Sequence, residues 1–203
     1  MRPHFQDILQ DNTLLEADII HLNETSITEE EENDIKLPGF NSHFISVGNG
    51  KGVVTFIKDS NFTHEQDLKA EYMQIVKFTS RKLDVINVYR SRNGNYVDLF
   101  HQLQRMTTRE NKPMLVTGDF NICFHNNRNN RMSKGLEQDG FKQLVQEPTH
   151  IRGGHIDHAY WKDKTAVWKE PELDRYSPYY SDHDALCLTL TQNVSNIFMI
   201  FFF

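Results

Sequence analysis

Met114-Leu115-Val116-Thr117-Gly118-Asp119-Phe120-Asn121 decides the fold: a short run of apolar and β-branched residues breaks off at once into Gly, Asp and Asn. A run of that length bounded by turn formers reads as a buried strand, and it leaves a carboxylate and an amide at the strand's C-terminal edge. The same design recurs on either side. Ala17-Asp18-Ile19-Ile20-His21-Leu22 runs into Glu24, Asp157 opens a run through Ala159-Tyr160-Trp161, and Asp182 with His183 immediately precedes Ala185-Leu186-Cys187-Leu188-Thr189-Leu190. A single Asp or Glu in such a place is more often a turn former or cap than a reactive group. Four such motifs at strand ends carry more weight, because strand ends along one sheet edge can converge in space.

The intervening segments fit that reading. Phe5, Ile8, Leu9 and Leu15 recur at helical spacing, as do Val97, Phe100, Leu103 and Met106, and a further helix is expected over 136–146. Two strand patterns flank Gly48-Asn49-Gly50 and two more flank Ser80-Arg81-Lys82, which predicts a pair of hairpins. The acidic run Glu29 to Glu32 reads as a solvated loop. Many strands with few helices predict two packed sheets flanked by helices, an α/β sandwich rather than an all-parallel fold.

Bulk properties narrow the function. A chain of 203 residues with 38% hydrophobic content can bury one sizeable core, so one domain is expected. The formal charge of -6 excludes a protein that coats nucleic acid with its whole surface, while leaving room for a localised basic rim. Cys123 and Cys187 each sit in an apolar run and read as core residues, not as a disulfide framework. The start Met1-Arg2-Pro3-His4-Phe5 lacks the features of a secretory signal, and the apolar run Ile197 to Phe203 is too short to span a bilayer. An intracellular protein without membrane attachment or an evident stable protein partner is the resulting expectation.

Taken in order, Leu22-Asn23-Glu24-Thr25, Val88-Tyr89, Gly118-Asp119-Phe120-Asn121, Ile156-Asp157-His158 and Ser181-Asp182-His183 resemble the motif series of the endonuclease/exonuclease/phosphatase superfamily. That superfamily includes abasic-site endonucleases, DNase I, sphingomyelinases and inositol-phosphate phosphatases. The resemblance runs from Phe5 to Thr191, and its phrasing over Ile151 to His158 and Tyr180 to Ala185 is most similar to endonuclease domains encoded by mobile elements, namely non-LTR retrotransposons and some Helitrons. It implies a DNase I-like, four-layer α/β/β/α sandwich of two mostly antiparallel sheets. It also implies a Mg²⁺-dependent phosphodiesterase, with Mn²⁺ as the alternative ion and DNA as substrate. By the same resemblance Glu24 and Asp182 hold the metal, and Asp119 activates the attacking water. Asn121 positions that water or the phosphate, Asp157 fixes and charges His183, His183 donates to the phosphate, and Tyr89 hydrogen-bonds the phosphate or leaving group.

Three arginines are candidate DNA contacts. Arg90 follows Tyr89, and Arg128 and Arg131 lie in a polar, basic stretch after the Gly-Asp-Phe-Asn motif, where side chains can meet phosphates. Members of the superfamily begin with an apolar strand carrying an active-site Asn, whereas this chain opens in what reads as the helix after it. The expected domain is therefore 1–192 without its first strand, with that strand's neighbours left unpaired and 193–203 forming an apolar tail outside the domain. Besides a DNA endonuclease, two readings stay open: a phosphatase or phospholipase on the same scaffold, and a truncated, weak or inactive remnant of it.

Overall fold

The protein's computed structural model describes residues 4–47, 51–58, 61–107, 111–123, 130–192 and 195–202. The deciding stretch is strand β7 (Met114–Asp119), wholly buried as its composition requires. In chain order the other elements are α1 (Phe5–Gln10), α2 (Asn12–Glu16), β1 (Ile19–Leu22), β2 (Asn41–Val47), β3 (Lys51–Ile57), β4 (Thr63–Ala70), β5 (Met73–Thr79), β6 (Asp84–Arg90) and α3 (Tyr96–Thr107). After β7 come α4 (Asn130–Gln138), β8 (Lys142–Gln143), β9 (Asp157–Lys162), β10 (Glu172–Tyr176), β11 (Ala185–Gln192) and β12 (Ser195–Phe202). The turn predicted at Gly48-Asn49-Gly50 lies outside the described residues, but the strands on either side of it pair as expected.

Two six-stranded sheets result, ordered β10-β11-β12-β1-β3-β2 and β4-β5-β6-β7-β9-β8. Pairing is antiparallel except between β1 and β12 and between β6 and β7. The inward faces of both sheets meet in one apolar layer containing Ile19, Val76, Leu115, Leu186, Met199 and Phe201. On the outer face of the first sheet, Ile8 and Leu14 from the N-terminal helices pack with Ile20, Phe56 and Ile200. On that of the second, Leu99, Leu103, Met132 and Leu136 from α3 and α4 cover Ile86, Val88, Val116 and Tyr160. The layer order is α/β/β/α, the DNase I-like sandwich. Period-2 alternation explains the division, because neighbours such as Ile200 and Phe201 point to opposite faces of their strand.

Three expectations need correction, and one strand carries no sequence signal. Residues 195–202 are no tail outside the domain: β12 lies between β11 and β1, with Ile20 opposite Ile200 and Leu188 opposite Met199. Apolar side chains on both faces are what a strand covered on both sides requires. The unpaired neighbours expected of a missing strand are likewise not found, since β1 pairs with β12 and β3, and β11 with β10 and β12. The helix expected over 136–146 ends at Gln138, because Gly140 takes φ 91° and the Phe141 and Gly140 amides donate to Leu136 and Glu137 carbonyls at 2.9 Å each. That pattern is a glycine-terminated helix cap, and the chain leaves it as β8. β4 was not anticipated, because an edge strand reading Thr63-His64-Glu65-Gln66-Asp67-Leu68-Lys69-Ala70 carries almost no apolar signal.

The position of β12 has a measurable consequence. Phe201 is fully buried and its ring stacks on His21 at 5.0 Å between centroids. Phe201→Ala should cost about 3–5 kcal/mol in urea unfolding, as truncation of a buried aromatic does. A change within about 0.5 kcal/mol, typical of a surface position, would return the segment to solvent.

Candidate active site

Glycine 118 sets the register from which the site is built. It has φ 148°, and a Cβ there would fall 1.8 Å from the Val88 carbonyl oxygen, so β6 and β7 can pair here only around a residue without a side chain. The parallel register then places Tyr89 opposite Asp119, and the antiparallel register of β7 with β9 places Asp119 opposite Asp157. Three reactive side chains thus stand in a row across adjacent strands. From the other sheet, Glu24 follows β1 and His183 precedes β11, so both sheets contribute to one end of the sandwich.

Hydrogen bonds join the two halves. His183 Nδ1 lies 2.9 Å from Asp157 Oδ2, an oxygen that also accepts from the Thr149 hydroxyl. Tyr89 donates its hydroxyl hydrogen to Glu24 Oε1. Asn121, at φ 48°, donates its backbone N–H to Asp119 Oδ1 at 2.7 Å and its side-chain amide to Oδ2 at 2.8 Å. Glu24 is also left-handed, at φ 49°, and non-glycine residues held there tend to cluster where geometry serves function.

Burial and neighbouring charge set the protonation pattern. Burial raises the Asp119 carboxyl well above its ordinary value, and the Asp157 charge raises it further. Asp157 is also raised, chiefly by burial, against the lowering effect of its hydrogen bond to His183. Burial would lower His183, but the hydrogen bond and charge of Asp157, with the charges of Asp119 and Asp182, outweigh it and raise the imidazole to about 8. At neutral pH the ring is therefore mostly cationic. Burial, followed by the bond to Glu24, pushes the Tyr89 phenol far above its usual range, so it remains a hydrogen-bond donor.

The structure brings Glu24, Tyr89, Asp119, Asn121, Asp182 and His183 to one cleft of about 420 Å³, with Asp157 directly behind His183. Asp182 is largely exposed, 3.3 Å from His150 Nε2. Arg90 is corrected: it is buried, and its guanidinium donates to the Phe120 carbonyl at 2.6 Å, the Asn121 carbonyl at 2.8 Å and the Gly94 carbonyl. Buried, bound to three backbone carbonyls and absent from the cleft lining, Arg90 clamps the loop after β7 instead. Arg131 is exposed on α4, away from the cleft lining, and Arg128 lies outside the described residues.

Sequence reasoning missed Lys51, Thr149 and His150. Lys51, at the start of β3, and Arg92, two residues after β6, bring positive charge to the cleft. His150 packs edge-on against His183 at 4.7 Å between ring centroids. The Ile151 and Asp184 amides donate to the Asp182 and Thr149 carbonyls at 2.9 and 2.7 Å, fastening the loop to the second motif. Only the phrasing of that loop hinted at such a role. Asp157 is followed by His158, which points the opposite way and stays neutral because burial holds its pKa at about 3. Its Nε2–H then donates to the Ile122 carbonyl at 2.8 Å while Nδ1 accepts from Gln143 at 2.6 Å.

The model of the Endonuclease/Exonuclease/phosphatase family matches residues 3–183. No curated protein matches the sequence significantly. Among solved structures, the 3'-5' exonuclease NExo of Neisseria meningitidis superposes with a TM-score of 0.67 at 18% identity, over 94% of each chain. The endonuclease domain of TRAS1, a telomere-specific non-LTR retrotransposon, does so with a TM-score of 0.63 at 14% identity, over 94% of this chain and 90% of that one. A mannosyl-6-phosphatase of Bacteroides thetaiotaomicron gives a TM-score of 0.62 at 15% identity, over 94% of this chain and 91% of that one. Each superposition is a likeness of fold, whereas the family match runs through every motif of the cleft, and on that match the chain belongs to the endonuclease/exonuclease/phosphatase family.

Proposed function

We propose that the chain is a metal-dependent phosphodiesterase acting on DNA, an endonuclease domain of mobile-element origin. The observation that carries the proposal is the row Tyr89, Asp119, Asp157 facing Glu24 and a mostly cationic His183 in one cleft. A phosphodiester resists attack because its oxygens are anionic, so hydrolysis needs an activated water, positive charge on the phosphate and a donor near the leaving oxygen. Water attacks phosphorus while Asp119 accepts its proton, and the bond to the leaving oxygen breaks. Asn121, bonded to both Asp119 oxygens, holds the carboxylate and orients the water or phosphate. His183 donates from Nε2 to a phosphate oxygen, since Nδ1 is engaged by Asp157. Tyr89 donates to the phosphate or the leaving group when substrate takes the place of Glu24 Oε1 as the acceptor of its hydroxyl hydrogen.

Glu24 and Asp182 both line the cleft and present hard carboxylate oxygens, the donor type that suits Mg²⁺ or Mn²⁺. The bound ion would neutralise phosphate charge. DNA is favoured over a small phosphomonoester by the cleft's surroundings. Ile151 and Tyr179 stand about 80% and 81% exposed on its flank, where they line an adjoining hollow with Glu24 and Asp182 and offer apolar surface to a long substrate. Support for the mobile-element origin is the phrasing of residues 151–158 and 180–185, together with the fold shared with the TRAS1 domain.

A plasmid-nicking assay tests the roles. Asp119→Asn and His183→Gln should each lower Mg²⁺-dependent cleavage on the order of a hundredfold or more while leaving the unfolding midpoint near that of the parent. Near-parental turnover in either variant contradicts its assignment. Glu24→Gln should raise the Mg²⁺ concentration for half-maximal rate by on the order of tenfold or more; an unchanged titration removes Glu24 from the ligands. Faster turnover of a phosphomonoester than of DNA would instead make the chain a phosphatase.

A further inference from the structure

A second constellation lies on the flank of the sandwich, where the edge strand of one sheet meets the edge strand of the other. His43 Nε2, from β2, lies 2.9 Å from Asp67 Oδ2, and His64 Nε2, from β4, lies 2.9 Å from Asp67 Oδ1. The two imidazoles stack at 4.1 Å between centroids, and one ligand atom from each of the three residues lies within 4.8 Å of the others. From these contacts we infer a divalent transition-metal site, formed by His43, His64 and Asp67, that joins the two sheet edges.

Local backbone geometry makes the cluster. Residues three apart on a regular strand point to opposite faces, so His64 and Asp67 should not meet. They do, because the register shifts between His64 and Gln66: His64 pairs with Phe78, Gln66 with Lys77 and Asp67 with Val76. The extra residue, Glu65, is a β-bulge, which returns Asp67 to the His64 face. Bulges of this kind re-aim side chains and recur at functional positions. The imidazoles are also held from behind by Phe78, buried on β5. Its ring meets His43 at 5.6 Å and 88° and His64 at 5.7 Å and 69°. The three side chains are thus gathered at one place before any ion arrives.

Donor chemistry selects the ion. Two imidazoles and one carboxylate are the ligand types of Zn²⁺, with water completing a tetrahedron. In the metal-free state each ring's Nε2–H faces the shared carboxylate; on binding, each neutral ring takes the Nδ1–H tautomer, so that Nε2 presents its lone pair to the ion. Ligands about 2.0–2.1 Å from a tetrahedral ion lie roughly 3.3 Å apart, so to seat an ion the Asp67 carboxylate must draw back slightly and one imidazole must tilt out of the stack. Mg²⁺, which prefers oxygen and keeps its waters, should not compete.

Zinc titrated calorimetrically into chelator-stripped protein, with Mg²⁺ present, should bind, and His64→Gln or Asp67→Asn should weaken that binding at least tenfold. Zinc at about one hundred times its Kd should raise the parent Tm by roughly 5–10 °C and leave the His43→Gln/His64→Gln variant unmoved. Should a variant misfold, imidazole NMR of the parent gives the same answer: the two residues whose nitrogens shift on zinc addition must be His43 and His64. No zinc binding by the parent overturns the inference. So does binding that survives the double substitution, or shifts confined to His150 and His183.

Discussion

The reactive end of the molecule depends on the close approach of β6 and β7 at Gly118. With any side chain there, the strands would separate or slip, and a one-residue slip turns every side chain to the opposite face. Tyr89, Asp119 and Asp157 share a row only because this contact closes. Arg90 reinforces it by gripping the Phe120 and Asn121 carbonyls, which fixes the turn that presents Asn121 to Asp119. A glycine for proximity and a buried arginine for the loop are thus structural conditions of the chemistry.

That arrangement costs stability, because it buries two carboxylates on neighbouring strands. Burial and mutual repulsion favour their neutral forms, and His183 is the counterweight. The division between the sheets matters: the two buried carboxylates, Asp119 and Asp157, stand on the second sheet, and the His183 imidazole that offsets them comes from the first. Packing between the sheets therefore maintains the electrostatic balance of the cleft. β12 belongs to that packing, since Met199 and Phe201 face the same inter-sheet layer as Leu115 and Ala159.

Much of this was legible in the sequence, and the failures share a cause. Apolar runs that stop at Asp, Asn or Glu revealed the strand ends, since burial and turn formation leave strong local patterns. Asp119, Asn121, Asp157 and His183 could be named for that reason. Arg90 was misread because whether a strand-end arginine turns outward or inward depends on carbonyls 30 and 31 residues away. Residues 195–202 were misread because a strand covered on both faces has no alternation, and a bare apolar run does not reveal what covers it. Thr149 and His150 acquire meaning only through their contacts with Asp157, Asp182 and His183. The His43, His64 and Asp67 group was invisible because it depends on a bulge that no residue type announces.

The central claim is that Asp157 serves catalysis through His183, the two forming one unit across the sheets. Single-turnover DNA cleavage by Asp157→Asn, His183→Gln and the double variant tests it directly, because groups that act as a unit are non-additive. If the claim holds, the double variant is no slower than His183→Gln alone, within about threefold. Multiplication of the two single losses in the double variant would contradict it and make Asp157 and His183 independent of one another.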